Sequence, residues 1–330
     1  MQTIGIIGGG AWGTALAQSF AQSGKKVIIW AREEEVVSAI NNKHENIPFL
    51  PGVILHENIK ATGSLTETTA ADIFLFVTPT QHTRTVLESM KANLDATKPV
   101  VICAKGVEIN SGLLISQVVA EVSPQSPVAI LTGPTFAIEI ARGLPSAVTL
   151  AMKDKAEAEK VAAALSSRSL RMYASDDIVG AQVGGAVKNV IAIACGIIQG
   201  KQLGDSARAA LVTRGLAEIA RLGSALGAKK ETLMGMCGVG DLILTCSSMQ
   251  SRNFSLGVAL GQGKTLEEIL ASRNSVTEGV HTAKALIVMA KNNAVDMPIA
   301  EAVHKCLSEN ADVNEMIGKM LDRPVKAEAA

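Results

Sequence analysis

Lys188 is the residue best placed for acid–base chemistry in this chain of 330 residues. It stands in Gly184-Gly185-Ala186-Val187-Lys188-Asn189-Val190-Ile191-Ala192, an apolar, glycine-rich segment that reads as helix. An ammonium in such a segment is costly unless something pairs with it. Burial would lower its pKa towards the range in which a proton donor works at neutral pH. Gly184 lies one helical turn earlier on the same face and is expected to leave room for a substrate. The alternative is a lysine that snorkels to solvent. Asp241, in Gly238-Val239-Gly240-Asp241-Leu242, could orient and tune Lys188, or equally could cap a helix. Lys105 follows the apolar run Val100 to Ala104, at the strand end where open α/β sheets bind ligands, although plain loop lysines occur there too. The five histidines (His44, His56, His82, His281 and His304) lie singly, without metal-ligand spacing, and read as surface or helix-cap positions. No metal site is expected.

A second constellation opens the chain. Gly8-Gly9-Gly10-Ala11-Trp12-Gly13 matches G-x-G-x-x-G, directly after the apolar run Ile4 to Ile7 and ahead of a helical pattern from Thr14 to Ser23 that Gly24 stops. In that context the glycines read as a dinucleotide-binding turn. Gly8 permits the bend, Gly10 lets backbone approach a pyrophosphate, and Gly13 lets the helix pack on the sheet. A purely structural glycine turn is the competing reading. NAD sites usually place an acidic residue at the end of the next strand. Here Trp30-Ala31-Arg32 ends that strand, followed by Glu33, Glu34 and Glu35. Arg32 could pair with a 2′-phosphate, which favours NADPH/NADP over NADH/NAD; a solvated surface arginine is the alternative.

The elements that must position these residues fall into two halves. Val27 to Trp30, Ile73 to Val77, Val100 to Ala104, Val128 to Leu131 and Ala147 to Leu150 are short apolar runs separated by helical patterns. They predict a doubly wound α/β domain with a parallel sheet covered on both faces. From Ile178 onward almost every segment reads helical. Val212, Leu216, Ile219, Gly223 and Leu226 share one helix face, with Arg214, Glu218 and Arg221 off it and Gly227 as C-cap. Helical patterns continue over Leu266 to Ala271, Thr282 to Lys291 and Ile299 to Leu307, the last opened by Pro298. The expected division is a dinucleotide-binding domain over 1–182 and an all-helical substrate and catalytic domain over 183–330. The tail Arg323 to Ala330 is expected to fray.

Composition narrows the class. Lys+Arg and Asp+Glu both number 31, so the formal net charge is +0 and no basic stripe suits nucleic acid. The five cysteines form no C-x-x-C pair and have apolar neighbours, which fits buried thiols in a reducing, cytoplasmic compartment. Residues 2–7 are too short for a signal sequence. No stretch reads as long and apolar enough to cross a bilayer, the nearest being Val187 to Ile198.

Over nearly its whole length the chain resembles the bacterial NAD(P)-dependent glycerol-3-phosphate dehydrogenases. The stretches that carry the resemblance are GGGAWGTALA (Gly8 to Ala17), Ala104-Lys105-Gly106, LTGPTFA (Leu131 to Ala137), GGAVKNVIAI (Gly184 to Ile193), TRGLAEIARLG (Thr213 to Gly223), MCGVGDLILTC (Met236 to Cys246), QSRN (Gln250 to Asn253) and VTEG (Val276 to Gly279). The resemblance implies a Rossmann-type domain joined to an all-α domain like that of the 6-phosphogluconate dehydrogenases. It implies reduction of dihydroxyacetone phosphate to sn-glycerol 3-phosphate for phospholipid synthesis. It makes Lys188 the acid–base residue, supported by Asp241, with Lys105 touching both substrate and cofactor. Gly133, Thr135, Asn189, Ser251, Arg252 and Asn253 join the substrate site. Ala11, Trp12, Arg32, Ala137, Arg252, Val276 and Glu278 join the cofactor site with the glycines. Relatives often carry Ser at the position of Ala11, so only its backbone amide is expected to contribute. A homodimer is the expected assembly. Two other readings share part of these signals: a β-hydroxyacid or 6-phosphogluconate-type dehydrogenase, and a non-catalytic NADPH-binding redox sensor.

Overall fold

The computed structural model of the protein describes residues 2–273 and 276–324. Eight strands form one sheet: β1 (Thr3–Ile7), β2 (Lys26–Trp30), β3 (Ile59–Thr62), β4 (Ile73–Phe76), β5 (Val100–Ile102), β6 (Val128–Thr132), β7 (Ser146–Met152) and β8 (Leu170–Ser175). Their order is β3-β2-β1-β4-β5-β6-β7-β8. The order reverses between β1 and β4, and the glycine turn leaves β1 at that switch point, where doubly wound sheets open a ligand crevice. β1 explains the unbroken apolar runs. Its Ile4 and Ile6 enter a layer with Phe20, Ile29 and Leu75, while Ile7 enters the opposite layer with Phe74 and Phe76. Both faces are covered, so both side-chain registers must be apolar.

The sheet is not wholly parallel. β1 to β6 pair in parallel, but β7 runs antiparallel to β6, with Leu131 opposite Leu150. The chain between them holds only the five-residue helix Ala137–Ala141. A parallel crossover needs a connection long enough to return to the opposite edge of the sheet, usually a full helix. This one stays at the edge where β6 ends, and so the Gly133-Pro134-Thr135-Phe136 segment remains beside the crevice. β3 and β8 lie at the two sheet edges and stand outside the sequence expectation.

The first helix, Ala11–Gln22, begins earlier than the expected Thr14, because Gly10 is its N-cap and the glycine turn forms its opening turn. Gly24 takes a left-handed φ of +83° just past its end, as expected of a stop.

The helical half begins at Ile178, and the helix Ile178–Gly200 runs unbroken through residues 182 and 183. Asp177 caps it, accepting from the Gly180 amide at 2.8 Å, while its other carboxylate oxygen accepts from the Lys229 amide at 2.8 Å. Contrary to the sequence expectation, this 23-residue helix is long and apolar enough to cross a bilayer. Most of it (94% of its most apolar window) is instead buried inside the protein, sheathed by the helices Asp205–Ala225, Asp241–Ser247, Arg252–Gly261 and Glu278–Asn292. The closest crossing is with Arg252–Gly261. A Cβ on Gly257 would lie 2.0 Å from the Ile193 carbonyl oxygen, and one on Gly196 would lie 2.1 Å from that of Phe254. Only glycine permits backbones to approach so closely.

Glu218 also departs from expectation. It points into the helical core, where its carboxylate accepts from the Ile299 amide at 2.6 Å and the Ala300 amide at 3.2 Å. It thereby caps the helix Pro298–Ser308 from a neighbouring helix. Arg323 is held by Asp296 at 2.8 Å rather than frayed, and residues 325–330 of the expected tail lie outside the described residues.

Burial pushes the Glu218 pKa up to about 7, against the pull of the two amides. Between its ordinary value and 7 the folded state therefore binds more protons than the unfolded state, so this group's contribution falls as pH rises. Chemical denaturation at pH 5 and pH 8 should show wild type losing on the order of 2–3 kcal/mol relative to Glu218→Gln across that interval. A pH-independent difference would contradict the assignment.

Candidate active site

The glycine turn is shaped by contacts that differ at each position. Gly8 has φ +131°, donates to the Trp30 carbonyl at 3.0 Å, and leaves no space for a side chain against Val77. A Cβ on Gly13 would lie 2.0 Å from the Gly8 oxygen, and one on Gly9 would lie 2.5 Å from the Ala31 Cβ. Gly10 has no protein atom within 4 Å of that position. The fold therefore requires glycine at Gly8, Gly9 and Gly13, whereas only a ligand would require it at Gly10. With the N-terminus of Ala11–Gln22 beside it, the turn fits a pyrophosphate. Asn46, which sequence reasoning missed, steadies the turn by donating to the Gly9 carbonyl at 2.8 Å and the Thr14 hydroxyl at 2.7 Å.

At the carboxyl end of β5 and β6 three charged side chains meet. Lys105 Nζ donates to the Gly133 carbonyl at 2.9 Å and to Asp241 Oδ2 at 2.7 Å. Lys188 Nζ donates to Asp241 Oδ1 at 2.5 Å and to the Thr245 hydroxyl at 2.7 Å. Asp241 is 0% exposed and Lys188 is 5% exposed, so both are removed from water. Asp241 opens the helix Asp241–Ser247, and Thr245 lies one turn along the same face. Asp241 does not act as a helix cap. Its carboxylate is wholly engaged by the two ammoniums and Thr245, while Gly240 occupies the N-cap position. Burial pulls the Lys188 pKa down to about 8, although Asp241 opposes the shift. Two ammoniums on one carboxylate leave one surplus positive charge, which suits an anionic ligand.

Gly184 does not leave room for a substrate as expected. A Cβ there would lie 2.5 Å from the Cys237 carbonyl oxygen. The missing side chain admits the backbone of the Met236–Gly240 turn, which delivers Asp241 to Lys188.

Asn189 Nδ2 donates to the Lys105 carbonyl at 3.1 Å, and Asn253 Nδ2 donates to Asn189 Oδ1 at 2.9 Å. Asn253 Oδ1 in turn accepts from the Gly279 amide at 2.9 Å. Glu278 Oε1 accepts from the Thr80 amide at 3.0 Å, joining the helical half to the loop after β4. Burial pushes the Glu278 pKa up, against the pull of the Thr80 amide and side chain. Arg252 is exposed at the start of its helix, and its guanidinium donates no hydrogen bond among the described residues.

Comparison with known proteins decides the family. Residues 3–158 match the model of the NAD-dependent glycerol-3-phosphate dehydrogenase N-terminus, and residues 177–318 match that of its C-terminus. The chain belongs to the NAD-dependent glycerol-3-phosphate dehydrogenase family. It is 55% identical over 325 residues to the glycerol-3-phosphate dehydrogenase [NAD(P)+] of Parvibaculum lavamentivorans, covering 98% of each chain. With that of Rhodospirillum rubrum it is 56% identical, covering 98% of this chain and 93% of the relative. The crystal structure of glycerol-3-phosphate dehydrogenase from Coxiella burnetii superposes with a TM-score of 0.94 at 37% identity, covering 98% of this chain and 99% of that one.

The glycerol-3-phosphate dehydrogenase residues expected from sequence do not all join one bonded network. Lys105, Gly133, Lys188, Asn189, Asp241 and Asn253 do. Ser251 instead caps the helix Arg252–Gly261, accepting from the Phe254 amide at 3.2 Å, and Thr135 bonds the Gly133 carbonyl at 3.4 Å. Val276 is exposed, Ala137 opens the short helix after β6, and Trp12 packs half-buried on the sheet core with Ala11. Arg32 projects into solvent past β2, paired with Glu33 at 2.9 Å. Thr245 and Thr80 were not foreseen. The spacing of Asp241 and Thr245, one helical turn apart, could have revealed the first. Thr80 lies 198 residues from Glu278 and carries no local signal.

The glycine contacts give a test. Gly13→Ala should destabilise the protein by about 1–3 kcal/mol or more. Gly10→Ala should leave the melting temperature unchanged and raise the cofactor KM by about tenfold. Thermal melts and cofactor titrations of both variants check this, and loss of stability in Gly10→Ala would contradict it.

Proposed function

We propose that this protein reversibly reduces dihydroxyacetone phosphate to sn-glycerol 3-phosphate with NADPH or NADH, supplying glycerophospholipid synthesis. The observation that carries the proposal is the buried Asp241 carboxylate shared by the ammoniums of Lys188 and Lys105 beside the switch-point crevice. The names of the similar proteins support the substrate and the cofactor. When bound, the dinucleotide supplies or accepts the hydride. It would be held by Gly8, Gly10 and Gly13, the amides of Ala11 and Trp12, and Arg32, Lys105, Ala137, Arg252, Val276 and Glu278.

The chain's own residues do the remaining work. Protonated Lys188 stabilises negative charge growing on the substrate carbonyl oxygen and then gives it the proton from Nζ. Asp241 keeps Lys188 charged despite burial and fixes its direction, with Thr245 as the second acceptor. Lys105 adds positive charge from the opposite side of Asp241. Arg252 offers a forked donor to the phosphate, aided by Ser251, Asn253, Gly133 and Thr135. Arg32 favours NADPH, since an exposed pair with Glu33 is weak and easily exchanged for a 2′-phosphate. The two functional halves divide at Asp177 and Ile178, where the long helix begins, rather than at 182 and 183. A cytoplasmic homodimer with no nucleic-acid partner and no membrane insertion fits the balanced charge, the buried free cysteines and the enclosure of the long apolar helix.

Steady-state kinetics test the reaction. Lys188→Ala should lower kcat by about 10²–10⁴-fold on dihydroxyacetone phosphate. In wild type the reduction should fall as pH rises through about 8, where Lys188 loses its proton, while the reverse oxidation should rise through the same range. Asp241→Asn should move that inflection to lower pH, because the carboxylate favours the charged lysine. Near-normal turnover by Lys188→Ala would reject the role. Arg32→Ala should raise the KM for NADPH about tenfold while changing that for NADH little. Equal effects on both would remove Arg32 from cofactor choice.

A further inference from the structure

We propose that a one-way chain of hydrogen bonds from Gly279 through Asn253 and Asn189 to Lys105 couples dinucleotide occupancy to binding of the substrate anion, with Gly279 as its positioning residue. The proposal deepens the reaction proposed above and rests on it.

The chain has a fixed direction. It starts at the Gly279 amide, which can only donate, and ends at the Lys105 carbonyl, which can only accept. Between them each asparagine must turn its carbonyl towards Gly279 and its amino group towards Lys105. Flipping either one would set donor against donor or acceptor against acceptor in a buried place, a costly mismatch. Each amino group spends one N–H on the chain, and its second has no acceptor among the described residues. Both side chains are thus held as donors, the form that suits phosphate oxygens. A direct family carry-over names Asn253 only as a substrate ligand, whereas its other end is committed to the protein.

Gly279 joins this chain to the cofactor side. Its neighbour Glu278 is buried against the dinucleotide-binding half, where its carboxylate accepts from the Thr80 amide. The start of the helix Glu278–Asn292 is therefore fixed from two directions, by Thr80 through Glu278 and by Asn253 through Gly279. A dinucleotide that engages Glu278 sets the position of the Gly279 amide, and with it the orientation of Asn253 and Asn189. Such linkage is reciprocal, so the anion strengthens dinucleotide binding to the same degree. Only glycine fits here. A Cβ on Gly279 would lie 2.5 Å from Asn253 Oδ1 and 2.9 Å from the Asn189 carbonyl oxygen.

The test is calorimetric titration of the full-length protein with sn-glycerol 3-phosphate, with and without saturating NADPH, a pair that cannot react with each other. In wild type NADPH should tighten the binding by about tenfold. In Gly279→Ala that enhancement should drop below about twofold, while affinity for NADPH alone stays within about threefold of wild type. Thermal melts establish that the variant is folded. If it is not, Asn253→Asp serves, since it sets a carboxylate oxygen against Asn189 Oδ1 and should abolish the enhancement likewise. No enhancement in wild type, or wild-type enhancement in a folded variant, would overturn the chain. Turnover of dihydroxyacetone phosphate by the same wild-type preparation tests the reaction separately: turnover with undiminished coupling in the variants rejects the chain alone, and absent turnover rejects the reaction.

Discussion

One buried carboxylate organises this molecule. Asp241 is withdrawn from water, and an ionised carboxylate in that position is destabilising by several kcal/mol unless it is fully paired. Two ammoniums and a hydroxyl satisfy it. The dependence is mutual, since Asp241 favours the charged form of Lys188 against the burial that disfavours it. Lys105 reaches the same carboxylate from the sheet, so the contact ties the two halves of the chain together. The surplus charge left over suits an anion.

Several features that look unrelated serve that contact. The Met236–Gly240 turn packs so tightly that a Cβ on Gly238 would lie 1.8 Å from the Leu233 carbonyl oxygen. Gly184 opens the groove in the long helix that receives this turn. Gly196 on the same helix and Gly257 on the facing one bring Arg252–Gly261 into backbone contact, which sets the spacing between Lys188 with Asn189 and Arg252 with Asn253. The glycine content of the helical half is therefore a matter of distance between functional side chains as much as of chain flexibility.

The reversal of β7 has a similar consequence. By turning back at the sheet edge instead of crossing over, the chain keeps the Gly133 to Phe136 segment at the crevice, where the Gly133 carbonyl accepts from Lys105. A parallel β7 would have carried the chain away from the site.

Much of this was legible without coordinates. The sequence determined the doubly wound half, the glycine turn, the helical second half and the identity of Lys188, Asp241 and Lys105, because hydrophobic period and glycine spacing are local properties. Family motifs added Asn189, Arg252, Asn253 and Glu278. Tertiary structure alone decided what each of these touches. Gly184 makes room for backbone and not for substrate, Ser251 caps a helix, Glu218 is a core carboxylate, and the long apolar helix is enclosed by protein. The strand reversal at β7 and the pairing of Thr80 with Glu278 were likewise invisible. Each depends on which surfaces meet after folding, and residues as far apart as Thr80 and Glu278 leave no trace of that meeting in their local sequence.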